Sequence, residues 1–383
     1  MHDPARTVVV FSGGGTGGHL YPALALADAV RSLRPDVLPV FVGAERGVEA
    51  RILPERGEEH LLLPVRGIQR GEGFRNWRAL PALWRSLVRV GGLFRRLGPE
   101  AVVVTGGYAG GPAGMAAGAF RVPLILQEQN AVPGVTTRVL SRWAVRVHLA
   151  FPEAADRLPG RARDRVRATG NPVRPVLGVE KGEARRRFDL SGTGPVVLVV
   201  GGSQGARALN HALQDAVASV ARGEMTRPHG FRVLWSTGPA HIEGVGAALA
   251  GAGDPSWVRA VPYIDDMPAA LAAADLAVSR AGAMATAELL NQGLPAVLVP
   301  LPTAAADHQR RNARALEEAG AVVMLEEKEL TGGALWSVVT ALLTDEDARA
   351  GMAAAARRRS RPRAAEEIAT DIVSLLPDPG ARS

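Results

Sequence analysis

Thr7-Val-Val-Val-Phe-Ser12 runs into Gly13-Gly-Gly-Thr-Gly-Gly-His19, and half a chain later Pro195-Val-Val-Leu-Val-Val200 runs into Gly201-Gly-Ser-Gln-Gly-Ala206. Each is a short β-branched run followed by a glycine-rich turn. A buried strand, a glycine turn and a helix, in that order, present backbone N–H groups to a phosphate in a parallel α/β sheet. One such unit predicts a nucleotide domain. Two predict a pair of similar domains facing each other across a cleft.

The 383 residues suffice for two domains, each with its own core. With 47% hydrophobic and 22% charged residues, the composition is that of an ordinary soluble globular protein. The absence of cysteine excludes disulfides, thiolate zinc sites and cysteine nucleophiles, and fits a reducing compartment. No signal peptide precedes the first strand, whose apolar run is too short to span a bilayer. The formal charge of +7 favours anionic partners, although a genome rich in Ala, Arg and Gly codons would give the same excess. No aromatic-rich basic motif for single strands is present, so no nucleic-acid partner is expected.

Short apolar runs alternate with helical patterns along the first half. The expected strands are Thr7–Phe11, Leu38–Val42, Ala101–Val104, Leu124–Gln127 and Val145–Leu149, with helices over Tyr21–Arg34 and Gly111–Phe120. A second series follows at Val196–Val200, Arg232–Ser236, Trp257–Pro262, Leu276–Ser279, Ala296–Val299 and Ala321–Leu325. The tail Asp345–Leu376 reads as helical and broken at Pro362. Residues 1–165 are taken as an N-terminal domain. Residues 166–176, polar and then punctuated by Gly and Pro, are taken as a linker. Residues 177–357 form a C-terminal domain and 358–383 a C-terminal helix, whose return to the first domain is left open.

The first turn satisfies G-x-G-x-x-G at Gly13, Gly15 and Gly18, a weak signal alone. A dinucleotide enzyme would want an acid ending the second strand, and Glu45 comes late for that. His19 begins the first helix at the end of a phosphate-type loop, where a neutral ring can accept a proton. Ser203 and Gln204 add side-chain donors to the N–H groups of Gly202 and Gly205, a set suited to a diphosphate; a capping Ser is the plainer reading. Thr105-Gly-Gly-Tyr-Ala-Gly-Gly-Pro112 and Gln127-Glu-Gln-Asn130 also end strands, so these groups converge on the carboxyl side of one sheet. Ser279-Arg-Ala-Gly-Ala-Met284 is a further strand-to-helix turn. Glu288 follows one helical turn on, where a carboxylate could take both hydroxyls of a ribose. Asp307-His-Gln-Arg-Arg-Asn312 opens a helix either as a solvated start with Asp307 as N-cap, or with His308 and Gln309 in reach of a sugar.

Together with Val42-Gly-Ala-Glu45, Gly47, Glu49, Gly170-Asn-Pro-Val-Arg174 and Ile264-Asp-Asp-Met267, these motifs resemble the MurG family over nearly the whole chain. That family comprises the bacterial peptidoglycan N-acetylglucosaminyltransferases that convert lipid I to lipid II. The resemblance implies an α/β protein of GT-B architecture, two Rossmann-like domains, with the acceptor on the first and UDP-GlcNAc mainly on the second. It implies Ser203 and Gln204 on the diphosphate, with Ala283 and Met284 in the neighbouring turn. Arg174 would meet the donor from the linker, the Ile264 backbone would hold uracil, Glu288 the ribose, and Gln309 the GlcNAc hydroxyls. Thr16, Gly17, Gly18 and Asn130 would close over the sugar. Gly14, Gly15, Gly106, Gly107 and Tyr108 would form the acceptor side with His19. The chain departs from the family's pattern at Ala285, where a Thr is usual; here the Thr stands at Thr286, which puts a hydroxyl contact to the diphosphate in doubt.

The implied reaction inverts the anomeric centre and moves GlcNAc to the 4-hydroxyl of MurNAc in lipid I. It needs a base on that hydroxyl and stabilisation of departing UDP. His19 is the expected base, with a nearby carboxylate or a purely positioning role as alternatives. No cofactor or catalytic metal is expected, since the single D-x-D triplet, Asp345-Glu-Asp347, reads as a charge cluster at a helix start. The stretch from Phe74 to Arg96 interleaves Phe74, Trp77 and Trp84 with Arg78 and Arg85; a helix packed on its own sheet would account for most of it, but the Trp77/Trp84 pair and the density of Arg favour contact with an anionic membrane surface. The expected location is peripheral, on the cytoplasmic face of the bacterial plasma membrane, with other cell-wall synthesis proteins as further partners. A UDP-GlcNAc epimerase or a non-catalytic nucleotide-sugar-binding protein of the same fold are the competing readings.

Overall fold

The computed structural model describes residues 6–65, 80–173, 178–190 and 192–378. The chain divides into two compact units, Met1–Arg174 with Pro362–Ser383, and Pro175–Arg361.

The first unit is a seven-stranded parallel sheet: β1 (Thr7–Gly14), β2 (Val37–Ala44), β3 (Glu59–Leu63), β4 (Ala101–Gly107), β5 (Leu124–Glu128), β6 (Arg146–Leu149) and β7 (Val166–Arg167), in the order β3-β2-β1-β4-β5-β6-β7. Side chains alternate between two cores. Val8, Val10, Val42, Val102 and Val104 pack with the helices Leu80–Leu97 and Gly110–Phe120. Val9, Phe11, Phe41, Val103 and Ile125 pack with the helices Gly17–Leu33 and Ala364–Val373. Helices on both faces are why these strands read as unbroken apolar runs. Each fully buried Val or Phe contributes about 1.5–3 kcal/mol.

The second unit has six parallel strands, β8 (Val196–Val200), β9 (Arg232–Ser236), β10 (Val258–Val261), β11 (Leu276–Ser279), β12 (Ala296–Leu298) and β13 (Val322–Met324), in the order β10-β9-β8-β11-β12-β13. In both units the order reverses beside the first strand, at β1/β4 and at β8/β11. Ligands of open parallel sheets bind at such a switch point, beyond the carboxyl ends of the strands.

Two sequence expectations need correction. β3 was not anticipated, because it begins with the exposed Glu59 and His60 at a sheet edge. The expected linker starts too early: Val166–Arg167 pairs with Val147–His148 as β7, two residues too short to carry a periodicity. The tail is helical and broken around Pro362 as expected, in two helices, Glu346–Arg359 and Ala364–Val373. The second packs its Ile368 and Ile372 in the core of the first unit.

Candidate functional site

At the end of β1 the register against β4 shifts between Ser12 and Gly13, which frees the chain to turn. Thr16 is extended and exposed just before the helix Gly17–Leu33, and Gly18 is exposed in its first turn. His19 is half-buried. Its Nδ1 lies 3.0 Å from the Thr105 carbonyl oxygen and 2.9 Å from Gln129 Oε1. Both are acceptors, so Nδ1 carries the proton and Nε2 keeps the lone pair. Gln129 Nε2 donates to Thr105 O at 2.7 Å and to Gln127 O at 3.1 Å, which turns its Oε1 to the ring. The Thr105 hydroxyl donates to the His19 carbonyl at 2.7 Å, fixing the helix start from the other side. Gly106 is needed for this approach, since a Cβ there would sit 3.0 Å from His19 Nδ1.

The Tyr108 ring covers Gly15, and burial, then the charge of Glu49, hold its hydroxyl above the ordinary phenol range. Asn130 is oriented by the buried Glu128. Its backbone and side-chain N–H groups donate to Glu128 Oε1 at 3.1 and 3.2 Å, while Oε2 accepts from Gly134 N–H at 3.0 Å and the Thr137 hydroxyl at 2.6 Å. Glu45, the acid a dinucleotide enzyme would use, is instead paired with Arg89 at 2.9 Å.

In the second unit a cavity of about 640 Å³ lies at the switch point, with Gly201, Gly202 and Gly205 on one side and Ser279, Arg280, Gly282 and Ala285 on the other. Gly205 has φ +77°, and any Cβ there would overlap the Thr237 carbonyl oxygen, so only glycine closes this turn. Asn210 Nδ2 donates to that same oxygen at 2.8 Å and its Oδ1 accepts from the Trp235 indole at 3.0 Å, pinning the turn to the end of β9. Ser203 and Gln204 stand exposed at the tip. Arg280 is buried, donates to the carbonyls of Val299 and Pro300 at 3.2 and 3.3 Å, and pairs with Glu327 at 2.5 Å. Gln309 Oε1 accepts the Leu301 N–H at 3.0 Å, so its Nε2 is the end left to meet a ligand at the cavity wall.

Ala283 and Met284 open the helix Ala283–Gln292, and Glu288 is half-buried one turn on. The Thr286 side chain is buried and its hydroxyl donates to the Ala283 carbonyl at 3.0 Å, so it is spent on its own helix. The cavity meets the methyl group of Ala285 instead. Ile264 is 3% exposed, two residues before Asp266, whose carboxylate caps the helix Met267–Ala273 through the Ala269 N–H at 3.1 Å. Asp307 does not cap with its side chain: it holds a left-handed φ of +59° before the helix His308–Glu318 and makes no cap bond. Asp345 caps Glu346–Arg359 through the Ala348 N–H at 2.8 Å, which gives the D-x-D triplet a structural role.

Arg174, Phe74, Trp77 and Arg78 lie outside the described residues. Trp84 is 69% exposed on the helix Leu80–Leu97, and Arg85 is exposed beside it. Sequence reasoning gave no role to Gln129, Glu49 or Arg280, although each lies within a quoted motif. It gave no signal for Glu327, Arg207 or His211, which also line the cavity.

Residues 9–149 match the glycosyltransferase family 28 N-terminal domain and residues 196–368 the C-terminal domain of the same family. The chain is 44% identical over 369 residues, covering 96% of each chain, to a Salinibacter ruber protein named UDP-N-acetylglucosamine--N-acetylmuramyl-(pentapeptide) pyrophosphoryl-undecaprenol N-acetylglucosamine transferase. It is similar to the crystal structure of Acinetobacter baumannii MurG, with TM-score 0.77 and 28% identity over 96% of this chain and 99% of that one. A UDP-GlcNAc 2-epimerase from Neisseria meningitidis, with TM-score 0.65 and 12% identity over 96% of this chain and all of its own, shares the fold alone. The chain belongs to glycosyltransferase family 28 and, within it, to the MurG family of N-acetylglucosaminyltransferases.

Proposed function

We infer that the chain transfers GlcNAc, with inversion, from UDP-GlcNAc to the 4-hydroxyl of MurNAc in undecaprenyl-pyrophosphoryl-MurNAc-pentapeptide, turning lipid I into lipid II. The observation that carries this is the cavity at the β8/β11 switch point, bounded by a glycine turn whose exposed tip is Ser203-Gln204. Backbone N–H groups at the Gly201–Gly205 turn, with the side chains of Ser203 and Gln204, neutralise the diphosphate as it departs. Ala283 and Met284 supply helix-start amides, in keeping with the loss of the Thr286 hydroxyl to its own helix. Glu288 takes the ribose, Ile264 the uracil through its backbone, and Gln309 Nε2 a GlcNAc hydroxyl. Arg174, Thr16, Gly17, Gly18 and Asn130 complete the donor set.

His19 Nε2 removes the proton of the acceptor 4-hydroxyl as that oxygen attacks the anomeric carbon and the bond to UDP breaks. The proton on Nδ1, held by Thr105 O and Gln129 Oε1, supports this tautomer. Gly14, Gly15, Gly106, Gly107 and Tyr108 line the acceptor side.

A lipid-linked acceptor calls for contact with a membrane. Trp84 and Val88 are 69% and 58% exposed on a helix that carries Arg85 and Arg89. The neighbouring helices Gly110–Phe120 and Val135–Leu140 add exposed Met115, Val135 and Val139. This mix of apolar and cationic side chains suits an anionic bilayer surface, and with it a peripheral place on the cytoplasmic face of the plasma membrane. No helix among the described residues is long and apolar enough to cross a membrane.

The test is transfer of labelled GlcNAc from UDP-GlcNAc to a short-chain lipid I analogue with chelator present. A lipid II-like product supports the reading and a metal-free mechanism. Conversion of UDP-GlcNAc to its 2-epimer without transfer would replace it with the epimerase. Tight UDP-GlcNAc binding without turnover would leave a binding protein.

A further inference from the structure

We propose that Glu49 is a positioning residue for the acceptor side: its side chain fills the first glycine turn from within and holds the Gly15 amide. The proposal rests on the transfer reaction inferred above. Glu49 is fully buried, and its Oε1 accepts the Gly15 N–H at 2.6 Å and the Ala44 N–H at 3.3 Å. Space has been cleared for it: a Cβ on Gly14 or Gly47 would overlap the carboxylate, and one on Gly43 would press on the Glu49 stem at 2.9 Å. Its second oxygen, Oε2, is buried and has no hydrogen-bond partner among the described residues.

A buried carboxylate satisfied on one side only is costly. The cost is localised where the chain needs one backbone conformation. Gly15 holds φ +97°, and the Tyr108 ring lies where its Cβ would be. Glu49 thus fixes Gly15, and Gly15 is the floor under Tyr108. Glycine turns bind phosphate through free amides. Here the Gly15 amide is already taken by the Glu49 side chain, so this amide serves the shape of the turn and not a bound phosphate.

The experiment compares Glu49→Ala, which removes the acceptor oxygen, with Glu49→Gln, which keeps an oxygen for Gly15 and nearly the same volume. Acceptor kinetics are measured beside UDP affinity by calorimetry. Amide exchange is followed over residues 13–19. In Glu49→Ala, kcat/KM for the lipid I analogue falls about 30-fold while UDP affinity stays within about twofold. Amide exchange over 13–19 quickens, and Glu49→Gln recovers most of both losses. Unchanged acceptor kinetics in Glu49→Ala overturn the proposal. So does an equal loss of UDP affinity, or a glutamine variant no better than the alanine one. Where Glu49→Ala does not fold, Glu49→Asp, which withdraws the carboxylate by one methylene, takes its place with the same readouts. A wild-type chain that transfers no GlcNAc would sink the reaction itself, while the exchange data would still decide whether Glu49 holds the turn.

Discussion

The first glycine turn is filled by the protein, with the Glu49 carboxylate on its Gly15 amide and the Tyr108 ring on its outer face, whereas the second opens onto a cavity of about 640 Å³. Both end the first strand of a parallel sheet at the point where strand order reverses. Among the described residues no carboxylate takes an amide of the Gly201–Gly205 turn; Gly205 N–H bonds only within it, to Gly202 O at 2.9 Å. One backbone device therefore borders an open cavity in one unit and is braced from within by a side chain in the other. The visible differences are the Glu49 side chain, arriving from the next βα connection, and the Tyr108 ring.

The comparison breaks most sharply at His19. His19→Ala should lower turnover about 10³-fold with UDP affinity unchanged, since general-base groups contribute on that scale. Near-full turnover in that variant would remove the base from the first unit. Gly205→Ala should do the opposite, weakening UDP binding about 100-fold by forcing a Cβ onto Thr237 at a positive φ. Calorimetry with UDP reads it, and an unaffected Kd would mean the second turn does not hold UDP. Gln309→Ala should sharpen the picture with about a tenfold rise in KM for UDP-GlcNAc and little change in UDP affinity, because its Nε2 is assigned to the sugar. Equal losses for both ligands would move Gln309 to a purely structural role on Leu301.

A further effect, read as stability and not as activity, belongs to the first unit. His148 is buried, and burial first, with the guanidinium groups of Arg167 and Arg146 against the opposing pull of Asp371, lowers its pKa from 6.5 to about 4. Between those values the unfolded chain binds a proton that the folded one does not. Stability is therefore complete above pH 6.5 and is lost as pH falls toward 4, by up to about 3 kcal/mol. His148→Gln should flatten that slope in urea melts at pH 7 and pH 4.5. An unchanged slope would place the titrating group elsewhere.

Most strands were legible as apolar runs, and β8 to β13 all fell where such runs predicted them, whereas the edge strands β3 and β7 were not. The turns were legible from their glycines. What the turns do was less so, because it depends on partners far along the chain. Gln129, which orients His19, is 110 residues away, and Glu49 reaches Gly15 across 34. Neither distance leaves a local pattern. At Thr286 the sequence put a hydroxyl contact to the diphosphate in doubt, and the helix geometry supplies the reason, since the hydroxyl bonds to Ala283.

The helix Ala364–Val373 carries a consequence for how the chain is made. Its Ile368 and Ile372 lie in the same core as Val9, Phe11 and Leu20, and its Asp371 meets His148 and Arg167. Synthesis therefore delivers the sheet of the first unit early and its last core residues at the end. On the ribosome the first unit waits with one face incomplete while the second is produced, so the domain begun first is the one finished last.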